Sequence, residues 1–540
     1  MKKSMVFLII LLISAFLLSG CSGRPESPAQ EKKSEDSISA TPKNGGKITI
    51  GVTSAIHLDP LQAETDEEKS IDSLIYEGLV NIDGQGRIRP GLASSWEISS
   101  DGCVYTFKLV NNAKWHDGNH FTSDDVIATF DEIKRIKAQK EKQDRIKVFP
   151  GFDNIESYFA PDAQTVVVNL FKPDAGFLYD MSSGIVPASY FSKKSSETQN
   201  KPEAIGTGKY KVVLQDGDTI ELKKNENYYG IKPHIDEIVI RIFPDVNSMK
   251  QAFKNQEIDM VPIEAQDWGA FQNMSNVNLL HYPSRYFEFL ALNLKNKLFS
   301  DVRVRQAILM SIDRNKILQD TTQGKGVVID GPILPFSWAY NPQMQHQVFN
   351  RDKAVQMLKS AGWNDEDGDG VLEKKLNGKK VKFEFELLVN TSNTSRYQAA
   401  SDIQKDLKEA GISVKIVDLS WDELKTRVMG RKYEAAIMGW KLSPNPDLRF
   451  MFSKDEIKSG YNFVSYVNPQ LDELMIKAES SNLEDERKTL LYQAQEIISS
   501  ELPYIFLYSP NDLMAVNKRI KGFQPNPINI FSSIDNWWVE

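Results

Sequence analysis

The stretch ISVKIVDLSWDELKTRVMGRKYEAAIMGW, residues 412–440, decides the fold class of this chain. It begins with an apolar strand over residues 412–417 and continues with a helix over residues 422–429. A second apolar strand follows over residues 435–438. Two short strands with one helix between them are typical of a βαβ unit.

The same alternation begins upstream of this stretch. Residues 381–389 predict a strand, and Gly411 stands where the C-cap of the following helix belongs. The apolar face of that helix is formed by Ala399, Ile403, Leu407 and Ala410. The resulting β-α-β-α-β order predicts parallel strands joined by right-handed crossovers, and therefore an α/β fold.

Gly439 and Trp440 directly follow the last of these predicted strands. Ligands of open parallel sheets bind outside the carboxyl ends of the strands, so the architecture alone predicts that these two residues lie at a binding site. The alternative interpretation is that the Trp440 ring packs in the hydrophobic core.

The first half of the chain has a different pattern. Residues 95–98 and 104–109 predict two strands around an Asp-Gly turn, and a helix is expected to begin at Thr122 or Ser123. Hairpins mixed with single helices indicate an α+β domain distinct from the later α/β part. Because the odd positions from Cys103 to Leu109 are apolar, we expect Cys103 to be a buried, inert core residue.

The N-terminus has the layout of an export signal. Lys2 and Lys3 precede an apolar run over residues 5–18, which is too short to span a bilayer comfortably. The run ends in Leu-Ser-Gly-Cys, which resembles the lipobox of bacterial lipoproteins and implies diacylation of Cys21. Two acyl chains give stable anchoring. A plain signal peptide with a chance cysteine is the alternative.

Composition narrows the class of protein. Residues 22–45 mix charged residues with Ser, Pro and Gly and predict a flexible tether. The rest of the 540-residue chain is longer than the chains that usually fold around a single hydrophobic core, so two or three domains are expected. A formal net charge of −8 argues against a nucleic-acid partner, because phosphate binding depends on basic surface.

The motifs of common catalytic and metal sites are absent from the sequence. It contains no Gly-x-Ser-x-Gly, no phosphate-binding Gly-x-x-x-x-Gly-Lys-Ser/Thr, no Cys-x-x-Cys and no His-Glu-x-x-His. Asp365, Asp367 and Asp369 match the start of a calcium loop, but its twelfth position is Leu376 instead of a glutamate. We therefore predict a polar turn there, no resident metal, no cofactor and no enzyme activity.

A series of short motifs resembles one known family over nearly the whole mature chain. The matching segments are residues 92–97, 104–109, 115–118, 205–210, 225–229, 256–259 and 301–307. They resemble the large solute-binding proteins of peptide-importing ABC transporters, most closely the App/Opp-type oligopeptide-binding lipoproteins. Most of these motifs are predicted to be structural; residues 301–313, for example, predict a capped, packed helix.

The resemblance implies a periplasmic-binding-protein-like fold, with two lobes around a hinged cleft and an extra α+β domain. Lobe I is expected over residues 46–80, 200–290 and 510–540, the extra domain over 81–199 and lobe II over 291–509; residues 1–20 form the signal and 21–45 the lipidated tether. The resemblance further implies a monomer, lipid-anchored on the outer face of a Gram-positive cell membrane. Such a protein captures oligopeptides and delivers them to the permease and ATPase subunits of an importer. The same fold could instead bind a dipeptide, a nickel complex, a sugar or a signalling peptide.

The resemblance also implies the residues of the peptide site. In the family, the backbone of the Gly-Trp segment pairs with an extended peptide, which corresponds here to Gly439, Trp440 and Lys441. Trp421 matches another aromatic residue of the cleft. Relatives with Gly-Trp-x-x-Asp hold the peptide ammonium with that aspartate, whereas Ser443 stands there in this chain. Asp447 is expected to substitute for it, or the peptide termini are held loosely.

Overall fold

A computed structural model describes residues 41–54, 56–143, 149–193, 204–376, 378–458 and 460–540. The predicted signal peptide, Cys21 and the predicted tether up to residue 40 lie outside the described residues.

The described strands are β1 Lys47–Val52, β2 Val80–Ile82, β3 Ile88–Pro90, β4 Ala93–Ile98, β5 Val104–Leu109, β6 Ile155–Asp162, β7 Thr165–Leu170, β8 Tyr210–Asp216, β9 Thr219–Lys224, β10 Glu237–Ile242, β11 Met260–Pro262, β12 Val277–Pro283, β13 Tyr286–Leu292, β14 Gly326–Val328, β15 Glu373–Leu376, β16 Lys379–Lys382, β17 Glu384–Asn390, β18 Ser413–Leu419, β19 Ala435–Lys441, β20 Tyr504–Asn517, β21 Ile520–Lys521 and β22 Trp538–Val539.

The described α-helices are α1 Asp66–Ile75, α2 Ser123–Gln143, α3 Phe177–Asp180, α4 Ala188–Lys193, α5 Val246–Lys254, α6 Trp268–Gln272, α7 Val302–Ser311, α8 Arg314–Thr322, α9 Arg351–Ser360, α10 Thr394–Glu409, α11 Trp421–Met429, α12 Arg449–Phe452, α13 Pro469–Ser480 and α14 Glu484–Glu501.

The largest sheet runs through the molecule in the order β18-β17-β19-β13-β20-β11-β1-β10-β9-β8. The long strand β20 joins its two halves. The first half of β20 pairs with β13 and β14 and places Ile505 and Leu507 in one hydrophobic core. Its second half pairs with β11 and β12 and places Met514 and Val516 in another.

The chain crosses between these cores at two neighbouring segments, residues 284–285 between β12 and β13 and residues 509–512 within β20. The Ser284 hydroxyl donates to the carbonyl oxygen of Pro510 at 2.6 Å. The Ser509 hydroxyl donates to the carbonyl oxygen of Tyr286 at 2.7 Å. The two crossing segments therefore hold each other through a reciprocal pair of hydrogen bonds.

The structure confirms the β-α-β-α-β unit. β17 pairs in parallel with both β18 and β19, and α10 and α11 form the connections. Gly411 follows the C-cap of α10 with a φ of +82°, a left-handed conformation that favours glycine.

Several strand boundaries differ from the prediction, and two of these differences change the architecture. The strand expected over residues 381–389 is divided between β16, which forms a hairpin with β15, and β17; the buried Phe383 stands between them. The strand expected to end at Met438 continues to Lys441, because its last residues pair with the antiparallel strand β13. Gly439, Trp440 and Lys441 therefore belong to a strand and not to the loop after it.

A separate four-stranded antiparallel sheet, β4-β5-β7-β6, contains the predicted hairpin, and α2 begins at Ser123 as expected. The prediction for Cys103 is wrong. The residue precedes β5, in the turn after Asp101, and is only partly buried. Alternation starts later, with Tyr105, Phe107 and Leu109 buried.

Two of the recognised motifs contact each other and stabilise the fold. His116 Nδ1 accepts a hydrogen bond from the Gly206 N–H at 3.2 Å, and His116 Nε2 donates to the Gly208 carbonyl at 3.0 Å. The imidazole is therefore the neutral tautomer with its proton on Nε2. Burial lowers its pKa to about 4.

The motif at residues 301–307 is also structural. Asp301 caps α7 by accepting from the Arg303 N–H at 2.9 Å. The buried guanidinium of Arg305 donates to the carbonyl oxygens of Glu501 and Leu502, at the end of α14. These contacts confirm the capped, packed helix.

Candidate functional site

The site is centred on an edge of β19 that lacks a partner strand. Along one side, β13 pairs with β19 from Ala435 to Lys441. Along the other side, β17 pairs only with Ala435 and Ala436. Among the described residues no strand pairs with residues 437–441 on that side. Ile437 and Met438 are buried, so the part of this edge that an extended ligand could reach for main-chain pairing begins at Gly439.

A buried ion pair occupies the space beside Gly439. Glu288 lies opposite Gly439 in the β13–β19 register, and its carboxylate accepts two hydrogen bonds from the Arg396 guanidinium at 2.9 and 3.0 Å. A Cβ on Gly439 would lie 2.5 Å from Arg396 Nη2 and 2.7 Å from Glu288 Oε1. Glycine at this position therefore leaves room for the pair. Burial raises the pKa of Glu288, and the guanidinium opposes that shift.

No motif of the sequence had indicated Glu288 or Arg396 as site residues. Arg396 lies in the first turn of α10, soon after the carboxyl end of β17, which is where sheets of this kind bind ligands. This position in the sequence could have indicated that Arg396 is a site residue. The guanidinium lies 5.8 Å from the ring centroid of Trp421, which stands at the start of α11 and is 41% exposed. The structure thus places Trp421 close to Gly439 through Arg396.

Trp440 is half-buried in an aromatic cluster. Its ring stacks on Phe463 with 5.9 Å between centroids and meets Phe450 and Tyr461 edge-on at 5.2 and 5.4 Å. The Trp440 ring therefore lies at the edge of the site and also packs against core residues, which the alternative interpretation expected in part. Its indole Nε1 is buried and has no hydrogen-bond partner in the part of the chain that the structure describes.

Lys441 connects the free edge to helix α1, which packs in the hydrophobic core under the other half of the large sheet. Its ammonium pairs with Asp66, the first residue of α1, at 2.5 Å and lies 5.3 Å from the ring centroid of Tyr286. Burial raises the pKa of Asp66, but Arg285 and Lys441 more than offset this and hold the pKa below its ordinary value.

Ser443 and Asp447 lie in the loop after β19. The Ser443 hydroxyl oxygen accepts from the Asn445 N–H at 3.2 Å, and Asp447 Oδ1 accepts from the Arg449 N–H at 2.8 Å. A small cavity of about 60 Å³ adjoins the loop. Its lining includes Asp174, Asn445, Asp447, Glu479 and Arg487.

Asp447 reaches solvent but lies in this concave surface, where desolvation raises its pKa. Its carboxylate makes no ion pair within 4.0 Å among the described residues, so it is available to a cation.

Further hydrogen bonds join distant parts of the chain away from the crossing segments. These contacts tie the region of the four-stranded sheet to the part of the chain around α13 and α14. They are Trp338 N–H to the Gln85 carbonyl at 2.9 Å, Ala175 N–H to the Glu479 carbonyl at 2.7 Å, and the Tyr105 hydroxyl to Asn482 Oδ1 at 2.8 Å.

The acidic loop at residues 365–373, which resembles the start of a calcium loop, is a separate segment of the chain. Carboxylate oxygens of Asp365, Asp367 and Glu373 lie within 4.8 Å of one another. Lys380 pairs with Glu373 at 3.1 Å and Lys382 with Asp367 at 3.4 Å, so two ammonium groups offset part of the negative charge of the cluster. The expectation of no metal stays a prediction.

Comparisons with known proteins agree with this architecture. The model of the bacterial extracellular solute-binding proteins, family 5, matches residues 87–458. The chain is 29% identical to the oligopeptide-binding protein AppA of Bacillus subtilis, over 100% of this chain and 99% of that protein. No helix within the described residues is both long and apolar enough to cross a membrane.

Solved structures show the same fold. The structure of the Bacillus subtilis oligopeptide-binding protein AppA with a nonapeptide aligns with a TM-score of 0.66 and 28% identity, covering 92% of this chain and all of that one. NikZ from Campylobacter jejuni in complex with Ni(L-His) aligns with a TM-score of 0.69 and 27% identity, covering 91% and 99% of the two chains. The predicted α/β fold with two lobes is confirmed.

Proposed function

The chain belongs to the bacterial extracellular solute-binding proteins of family 5, and from that membership we propose that it captures oligopeptides between its two lobes. It then delivers them to the permease and ATPase subunits of an ABC importer. The observation that carries this proposal is the unpaired edge of β19 at residues 437–441. The full-length similarity to an oligopeptide-binding protein supports the ligand class.

The free edge suits a peptide because main-chain hydrogen bonds do not depend on the ligand's side chains. Each such bond contributes only about 1 kcal/mol net, so several must form together. Three exposed rings flank the edge: Tyr286 at 44%, Trp421 at 41% and Tyr461 at 46% exposure. These rings offer apolar surface to ligand side chains of differing shape, which favours tolerant binding.

Asp447 is the proposed partner of the peptide's α-ammonium. Ser443 is neutral and cannot balance that charge, whereas the Asp447 carboxylate reaches solvent and forms no ion pair within 4.0 Å among the described residues, although Arg449 and Arg487 act on it electrostatically. A cation placed beside it would favour the ionised form and return its pKa toward the ordinary value. If Asp447 does not bind the ammonium group, the peptide termini are held loosely and the site does not select peptides by their length.

A nickel complex is the second candidate ligand, because of the similarity to NikZ, whose solved structure holds Ni(L-His). Main-chain pairing along residues 439–441 would then have no role, since such a complex has no extended backbone. That difference separates the two candidates experimentally.

The remaining features of the proposal follow from family membership and the N-terminal sequence. The protein is proposed to bind without catalysis, to act as a monomer and to be held at the outer face of the cell membrane by lipid on Cys21. In the proposed arrangement lobe I comprises residues 46–80, 200–290 and 510–540, lobe II residues 291–509 and the extra domain residues 81–199.

The test is to identify what the purified protein carries and binds. Native mass spectrometry of the gently purified chain is expected to detect peptides of several lengths, and calorimetry with those peptides and with Ni²⁺–histidine completes the comparison. Binding of the nickel complex without any peptide would refute the oligopeptide assignment. Turnover of a bound peptide would refute the non-catalytic assignment.

A further inference from the structure

Arg285 occupies an unusual place in the chain. It lies in the two-residue link between β12 and β13, which is one of the two segments that cross between the hydrophobic cores. Its side chain is only 11% exposed. A buried cation at a crossing segment needs several partners to offset its desolvation.

Its guanidinium contacts three separate parts of the molecule. Nε donates to the Pro527 carbonyl at 3.0 Å, and Nη1 donates to the Leu442 carbonyl at 2.9 Å. Nη2 donates to the carboxylate of Asp66 at the start of α1. The C-terminal segment, the loop after the free edge and the first helix therefore converge on one planar group, which presents its donors in a fixed geometry.

The contact with Leu442 joins Arg285 to the proposed ligand edge. The Leu442 N–H donates back to the Arg285 carbonyl at 2.8 Å, which extends the β13–β19 ladder by one residue beyond Lys441. Lys441 and Arg285 share Asp66 as their anionic partner. A displacement of β19 relative to α1 would therefore have to break or rebuild bonds at Arg285.

We infer that Arg285 is a positioning residue that couples occupancy of the β19 edge to closure of the two lobes. Its bonds to Asp66 and Pro527 on one side and Leu442 on the other hold together the parts that a rotation about the crossing segments would separate. The inference rests on the proposed function only for the identity of the ligand. The bonds of Arg285 that hold these parts together do not involve a ligand, so their effect on the two lobes can be measured without one.

The experiment compares Arg285→Lys with the wild-type full chain. Lysine keeps the charge but cannot reach three acceptors with one planar fork. Small-angle X-ray scattering is expected to show a larger radius of gyration for the ligand-free variant. For a peptide identified by mass spectrometry, the dissociation rate is expected to rise about tenfold with an unchanged association rate, since closure retains the ligand.

Arg241→Lys is the matched control, because Arg241 pairs with Glu257 on an exposed part of β10. Asp66→Asn is a second variant, which keeps a neutral acceptor while removing the shared charge; it should change scattering in the same direction as Arg285→Lys.

Wild-type scattering and dissociation rates in Arg285→Lys would overturn the inference. A fall in melting temperature alone, without either change, would also overturn it by showing a purely structural role. If no peptide binds the wild type, the proposed function fails, while the scattering of the ligand-free variants still decides the role of Arg285.

Discussion

Arg396 Nη2 lies where the side chain of Gly439 would begin, 2.5 Å from the position of a Cβ on that glycine. The Arg396–Glu288 ion pair and the free edge of β19 are thus built against each other, and neither fits a larger residue at position 439. The glycine in β19 thus leaves room for an arginine in the first turn of α10, more than forty residues earlier in the chain.

Gly439→Ala is expected to displace the ion pair and distort the ligand edge. Leaving one buried polar group poorly bonded costs about 1–3 kcal/mol, so both the free energy of unfolding and peptide affinity should fall. Calorimetry and thermal melting measure the two effects. Gly269→Ala is the control, because nothing lies within 4 Å of a Cβ at that position. Equal behaviour of the two variants would contradict the packing argument.

Trp440→Ala is expected to weaken all peptides by a similar amount, about 2 kcal/mol if the ring is a buried ligand contact. It should also lower the melting temperature, since the ring stacks on Phe463. Trp421→Ala removes an exposed ring, so it should reduce affinity with little change in stability. Unchanged peptide affinity in the Trp440 variant would exclude its place in the site.

Asp447→Asn tests the proposed ammonium contact. It should weaken peptides with a free N-terminus, and N-acetylation of the ligand should have little further effect in the variant. Calorimetry on both proteins with free and acetylated peptides forms a double-mutant cycle. Additive losses would show that the carboxylate does not meet the ammonium.

His116 is expected to make stability depend on pH. Its pKa is about 4 in the folded chain and near 6.5 when unfolded, so the unfolded state binds the proton more tightly. The stabilisation from the neutral ring is complete above about pH 6.5 and is lost as pH falls toward 4, by about 3 kcal/mol in all. Urea unfolding of the wild type and His116→Asn across this range measures the difference.

The exposed His120 provides the control for that series. His120→Asn should follow the wild-type curve, whereas His116→Asn should be less stable at neutral pH and lose less on acidification. Parallel curves for the wild type and the His116 variant would exclude a buried neutral imidazole.

Cys21→Ala is expected to release the protein from the cells or leave it unprocessed, because the proposed diacyl anchor is lost. Cell fractionation and mass measurement of the N-terminus detect both outcomes. A variant that stays with the membrane and is processed normally would refute the lipoprotein assignment. Cys103→Ala is the control, since that residue lies in the folded part of the chain.

The sequence by itself determined the order and type of the main elements. The apolar periodicity of α10, β18 and α11 and the glycine after α10 are local properties, so they could be read without knowledge of the rest of the fold. The same local order placed Gly439 and Trp440 at the carboxyl edge of a parallel sheet. The family motifs added the expectation of two lobes, which the comparisons confirm.

Only the tertiary structure decided how far β19 extends, what fills the space at Gly439 and which groups meet at Arg285. β19 continues to Lys441 because β13, a distant segment, pairs with it. Arg396, Glu288, Arg285 and Asp66 come from separate elements, and no local pattern encodes which of them meet. The local pattern also failed to predict the burial of Cys103, because the turn before β5 removes this residue from the alternation of the strand. Local propensity sets the conformation of a segment, whereas burial, register and ion pairing depend on what the fold packs against it.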